Sequence, residues 1–213
     1  FKTPKSRIAA HEFSHLDLDC ILYDMEIKTA EMLNIIDRGS EAETFEKNAG
    51  KRKELMNKYY LTKDGIYLDY NMKTGGHSEI LSAASLYPYA FGVSDDKDGA
   101  LKVLKRLELE YGLSACEKRD DDLFFQWDYP CMWPAATCLA YMGLKNIGLD
   151  KDATRIASKY VSVAKKIFEE TGRLWEKYDA LTGKIAETCE YETMPMMGWT
   201  AAVYRYFVEN EKI

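Results

Sequence analysis

The chain has 213 residues, with 29 Lys+Arg against 35 Asp+Glu, a formal net charge of −6 at pH 7, and 46% hydrophobic and 30% charged residues. That length fits one domain or at most two small ones, and the apolar content argues against wholesale disorder. The acidic balance argues against broad nucleic-acid or anionic-membrane binding, and no apolar run approaches the ~18–20 residues that span a bilayer.

The first residue is Phe1, not Met, as expected of a processed product or a fragment. Leu18, Leu22, Met25, Thr29, Met32, Leu33 and Ile36 follow steps of three and four, which predicts an amphipathic helix over 15–37, stopped by Gly39. Ser40 and Glu43 have capping-box spacing, which predicts a second helix over 41–60. Asp64-Gly65 and Lys73-Thr74-Gly75-Gly76 are turn signals around Ile66–Tyr70, which reads as a small β-hairpin. Helical patterns resume over 79–91, shortened or kinked by Pro88, and over 95–111, ended by Gly112. After a loop to Pro134 come helices over 134–147 and 150–171, a stop at Gly172, a loop over 173–197 and a last helix over 198–210. No linker divides the chain, so residues 1–213 read as a single all-α domain of antiparallel helix pairs with one small β-hairpin, a bundle or (α/α) barrel. In a barrel, the loops of one rim carry the chemistry.

Five cysteines without CxxC spacing favour free thiols in a reducing compartment, hence a cytoplasmic location. His11 and His15 are four residues apart but lack an accompanying ligand pattern, so no metal site is expected. Asp120-Asp121-Asp122 falls in a predicted loop and reads as solvated, with no helical DDxxD motif to support a terpene-type barrel.

Two loop segments stand out. Phe124–Pro134 holds two Trp, two Phe, a Tyr and two Pro. Such a loop is either a rigid helix entry or a sugar platform, with aromatic faces stacking on a pyranose while Gln126 and Asp128 take its hydroxyls. The second, Arg173–Asp179, sets Glu176 among Trp175, Lys177 and Tyr178, with Glu187, Glu190 and Glu192 close behind. Alone, Glu176-Lys177 is an ordinary surface ion pair. Paired with another carboxyl group, it would suit glycoside hydrolysis.

The two segments together resemble the inverting α,α-trehalase family. Gln126-Trp127-Asp128-Tyr129-Pro130 followed by Trp133 resembles its QWDxPxxW signature, and Glu176-Lys177-Tyr178-Asp179 its EKYD motif. Leu16–Asp19, Tyr67–Gly75, Ser82–Pro88, Glu190-Tyr191 and Gly198-Trp199-Thr200 are similar to further family motifs in the family's order. The resemblance implies an (α/α)6 six-hairpin barrel of which this chain supplies the C-terminal half. It implies hydrolysis of trehalose or a related α-glucoside by inversion, without a cofactor. Glu176 would be the general base, with Lys177 favouring its charged form. Trp127, Glu190, Gln126, Asp128 and Trp199 would bind the sugar. The family's general acid lies in a WDFSSRW-like motif that is absent from these residues, so the fragment alone is expected to be inactive. The open side of a half-barrel would associate with another copy or with the N-terminal half. The alternative is a non-catalytic helical carbohydrate-binding or structural domain derived from the same barrel.

Overall fold

The computed structural model describes residues 10–119, 125–187, 190–195 and 198–213. Phe124, the Asp120–Asp122 run and Cys189 lie outside the described residues. The fold is all-α. Its helices are α1 (Leu16–Ile35), α2 (Gly39–Tyr59), α3 (Tyr87–Ala90), α4 (Lys97–Leu107), α5 (Pro134–Asn146), α6 (Asp150–Thr171) and α7 (Gly198–Glu211). α1 packs on α2, α3 on α5, α5 on α6, and α7 against both α5 and α6.

The helix ends follow local chemistry, and some differ from the spacing-based expectation. α1 closes through Asp37 at φ 59°, with Arg38 N–H donating to Leu33 O at 2.9 Å. That tight turn starts α2 at Gly39, so Ser40 is already helical and the expected capping box does not form. Arg38 pairs instead with Glu41 in the first turn. The helix expected over 79–91 is a 3₁₀ turn, Ala83–Leu86, followed by the four-residue α3. Pro88 has no N–H to continue an earlier helix and so sits in the first turn of a new one. Upstream, Ala83 N–H is drawn to Ala115 O at 2.8 Å. α4 begins at an Asp96 cap and ends at Leu107, before Gly112, because Glu108 turns extended and pairs with Leu113. α6 ends as expected at Gly172, in the left-handed region at φ 68°.

Among the described residues, two small antiparallel sheets join the segments that enter the odd-numbered helices. β1 (Phe13–Ser14), β2 (Tyr70–Asn71) and β3 (Gly76–His77) pair in the order β1-β2-β3, so the expected hairpin carries one extra strand. β4 (Cys131–Met132) pairs with β5 (Tyr178–Asp179). A bridge between Ser82 and Cys116, and Ala115 N–H on Cys131 O at 2.7 Å, tie the α3 entry to the α5 entry. The entries to α1, α3, α5 and α7 therefore form one linked rim.

The main core runs through α4, α5, α6 and α7, with Val103, Leu107, Ala140, Ile156, Tyr160 and Phe207 sealed from solvent. A Cβ at Gly143 would lie 2.9 Å from Ala90 N and 3.1 Å from Leu86 O, so the bare position is what lets α3 approach α5. A second cluster of Leu16, Cys20, Met56, Tyr60, Tyr67 and Val93 seats α1 and α2. Arg52 braces that hairpin by bonding both Asp19 and Glu26, at 2.7 and 2.8 Å. The apolar period of α1 is real, but Leu18, Met25, Met32 and Ile36 stand exposed instead of buried. No helix among the described residues is long and apolar enough to cross a membrane.

Candidate active site

The short β4–β5 ladder brings the two chemistry-bearing loops together. Cys131 lies opposite Asp179 and Met132 opposite Tyr178, and Ala180 N–H donates to Pro130 O at 2.9 Å. Beyond the ladder the chain reverses tightly. Asp179 Oδ1 accepts from the N–H groups of Leu181 and Thr182 at 2.8 and 2.9 Å, an Asx-type turn. Gly183 completes it at φ 66°, so close that a Cβ would meet the Tyr111 ring at 2.6 Å. The Asp of the Glu-Lys-Tyr-Asp segment thus shapes a turn, while its buried Tyr178 packs beside Tyr160.

Glu176 stands just before that ladder. Its N–H donates to Met194 O at 3.0 Å, Trp175 bridges to Pro195, and Thr200 Oγ1 donates to Trp175 O at 2.7 Å. Glu176 is therefore clamped between its own loop and the start of α7. Its Oε2 accepts two hydrogen bonds, from Lys177 Nζ at 2.8 Å and from the Tyr191 hydroxyl at 2.7 Å. The side chain keeps 12% of its surface open, whereas Lys177 has none. The Lys177 ammonium lies 4.1 Å from the Tyr191 ring centre and 5.0 Å from that of Trp133, each a cation–π distance. A fully buried lysine is costly unless paired, and this one is paired by a carboxylate and two aromatic faces. Burial, then the hydrogen bond to Glu176, pushes the Tyr191 phenol well above its usual range, so it remains a donor.

Trp133 connects this cluster to the aromatic loop. It is buried, and its Nε1 donates to Gln126 O at 2.7 Å. Trp127 stacks on it, with ring centres 4.0 Å apart and planes 11° from parallel, yet remains 51% exposed. Trp199 meets Trp133 edge-on at 5.3 Å. Its buried Nε1 has no hydrogen-bond partner among the described residues. Gln126 N–H donates to Glu190 Oε2 at 2.8 Å, so this pair, too, links the loops. Asp128 Oδ2 accepts from Phe125 N–H at 2.9 Å, and its Oδ1 lies 3.6 Å from Arg119.

The sequence-derived residues Glu176, Trp127, Gln126, Asp128, Glu190 and Trp199 thus fall on one rim. Tyr191 and Trp133, which stand in the quoted motifs but were not named as site residues, join them. A hydrogen bond reaching from Tyr191 across fifteen residues to Glu176 leaves no periodic trace. Burial pushes the Cys116 and Cys131 thiols up to about 12, which makes them protonated packing groups and not nucleophiles. Among the described residues, no group of three or more His, Cys, Asp or Glu converges as a metal site.

Comparison with solved structures places the fold in the class of six-hairpin helical glycosidases. The neutral trehalase Nth1 of Saccharomyces cerevisiae superposes with a TM-score of 0.79 at 25% identity, over 98% of this chain and 40% of that one. A mannosylglycerate hydrolase of glycosidase family 63 from Thermus thermophilus shares the fold at a TM-score of 0.70 and 15% identity, over 91% of this chain and 48% of that one. The sequence model described as Trehalase matches residues 2–211, and the chain belongs to the trehalase family. A probable trehalase of S. cerevisiae is 31% identical over 68% of this chain and 20% of its own length. A periplasmic trehalase of Salmonella newport is 27% identical over 88% of this chain and 33% of its own length. The chain thus spans a fifth to a third of the curated relatives it matches.

Proposed function

We propose that the chain is the C-terminal half of the catalytic barrel of an inverting glycoside hydrolase acting on trehalose or a related α-glucoside, with Glu176 as general base. The reading is supported above all by the geometry at Glu176, a carboxylate clamped on the rim between two loops, its Oε2 fixed by two donors and 12% of its otherwise buried side chain open to solvent.

In the proposed reaction a water lies between Glu176 and the anomeric carbon. Glu176 takes its proton as the oxygen attacks, and an acid on the opposite face protonates the departing glycosidic oxygen. Trp127 is backed on one face by Trp133 and offers the other to the C–H face of a pyranose. Gln126, Asp128 and Glu190 hold the aromatic loop through the bonds described and present their remaining polar atoms to sugar hydroxyls, with Trp199 as a side wall. The acid is assigned to residues outside these 213, so the chain alone is inactive under this reading. The apolar stripe of α1 is where the rest of a closed toroid, or a second copy, would pack. The described free cysteines support a reducing, cytoplasmic setting.

The test is a panel of α-glucosides, trehalose included, given to the full-length protein, with the first-formed anomer followed by proton NMR. The reading predicts initial release of β-glucose. Initial release of α-glucose alone, or no hydrolysis of any member, contradicts it. The latter result would favour the non-catalytic binding domain.

A further inference from the structure

The two carboxylate oxygens of Glu176 are not equivalent. Oε2 takes both protein donors, Lys177 Nζ at 2.8 Å and the Tyr191 hydroxyl at 2.7 Å. Oε1 has no hydrogen-bond partner among the described residues, and it is not one of the buried polar side-chain atoms without a partner there, which are Tyr89 Oη, Tyr160 Oη and Trp199 Nε1. Oε1 is therefore the oxygen left without a protein donor, on a side chain that keeps 12% of its surface open.

We propose that Tyr191 is a positioning residue: with Lys177 it saturates Oε2 and so fixes Oε1 as the oxygen that receives the proton of the attacking water. This rests on Glu176 being the base. A carboxylate held by one donor can swing about that bond and exchange its oxygens, whereas two donors converging on one oxygen restrict the rotation. Lys177 alone would be a poor anchor, because an ammonium is a point charge on a flexible stem. Here the Tyr191 ring, at 4.1 Å from Nζ, also seats the ammonium, so one side chain serves both donors.

The protons balance with the acid assigned to residues outside these 213. Water loses a proton to Oε1 as its oxygen bonds to the anomeric carbon, and the glycosidic C–O bond breaks with its electron pair leaving on the oxygen that the acid protonates. Tyr191 keeps its proton throughout. The phenol's raised proton affinity matches that role.

The experiment compares kcat and KM of the wild-type full-length protein with those of Tyr191→Phe and Glu176→Gln, on trehalose or whichever α-glucoside the panel shows is turned over fastest. Phe keeps the ring against Lys177 and removes only the hydroxyl donor. The expected result is a fall in kcat of about 10- to 100-fold, with KM and the melting temperature near wild type. An unchanged kcat in Tyr191→Phe, with Glu176→Gln inactive, overturns the positioning role and leaves the base assignment standing. A parallel shift in KM and melting temperature that accounts for the loss also overturns it, because that is the signature of a structural residue. Full activity in Glu176→Gln overturns both readings.

Discussion

Met132 lies opposite Tyr178 in an antiparallel ladder two residues long, and that pairing sets the aromatic loop against the loop that carries Glu176. A ladder so short depends on the turn that follows it. Gly183 occupies that turn at φ 66°, with a would-be Cβ 2.6 Å from the Tyr111 ring. Gly183→Ala should lower stability by about 1–3 kcal/mol, from left-handed strain and displacement of Tyr111. Denaturant melts check it; a variant as stable as wild type would mean the turn relaxes freely.

Trp127 and Trp133 form one stack but should respond differently to truncation. Trp133 is sealed and bonded through Nε1 to Gln126 O, so Trp133→Ala should cost about 3–5 kcal/mol of stability. Trp127 is half exposed, so Trp127→Ala should cost far less stability and instead weaken sugar binding by about 10-fold or more. Thermal melts alongside KM or inhibitor titrations in the full-length protein separate the two. Unchanged sugar affinity in Trp127→Ala would remove its platform role.

Glu211 ties the end of α7 to two other helices. Hydrogen bonds from Thr154 and then Tyr141 hold its carboxyl below the usual range, with Lys145 adding at 3.4 Å. A carboxyl depressed in the folded state gives its full stabilisation above the ordinary carboxylate value. That contribution is lost as pH falls through this value to the depressed one. Glu211→Gln should therefore cost about 1–2 kcal/mol at neutral pH, with the gap to wild type closing at acid pH. Chemical denaturation at neutral and acid pH measures it.

The outer stripe of α1 is a further test. Leu18, Met25, Met32 and Ile35 recur at helical spacing and are 54–80% exposed. Apolar surface of that continuity favours association. The chain expressed by itself should sediment as a dimer or larger species, and Met25→Lys with Met32→Glu should shift it towards monomer. A monomeric unmodified chain would remove the stripe as an interaction face.

The helices were legible wherever apolar period and stop signal agreed, as in α6 with Gly172. The period of α1 was read correctly, yet it could not say that the face is uncovered, because burial depends on what packs there. The helix expected over 79–91 dissolved because Ala83 found a partner at Ala115, a contact more than thirty residues away. The site shows the same division. Glu176, Trp127, Trp133 and Tyr191 all stand in motifs visible in the sequence, but the contacts of Tyr191 with Glu176 and of Trp133 with Trp127, made by hydrogen bonding and ring stacking, are not.

The role of Glu176 as base rests on one number, the hydrolysis rate of Glu176→Gln in the full-length protein on its best α-glucoside. Gln keeps the size of the side chain and removes its ability to accept the proton. The expected result is a loss of about 10²–10⁴-fold in kcat, with the folded state retained. Turnover near wild type in a folded Glu176→Gln would contradict it.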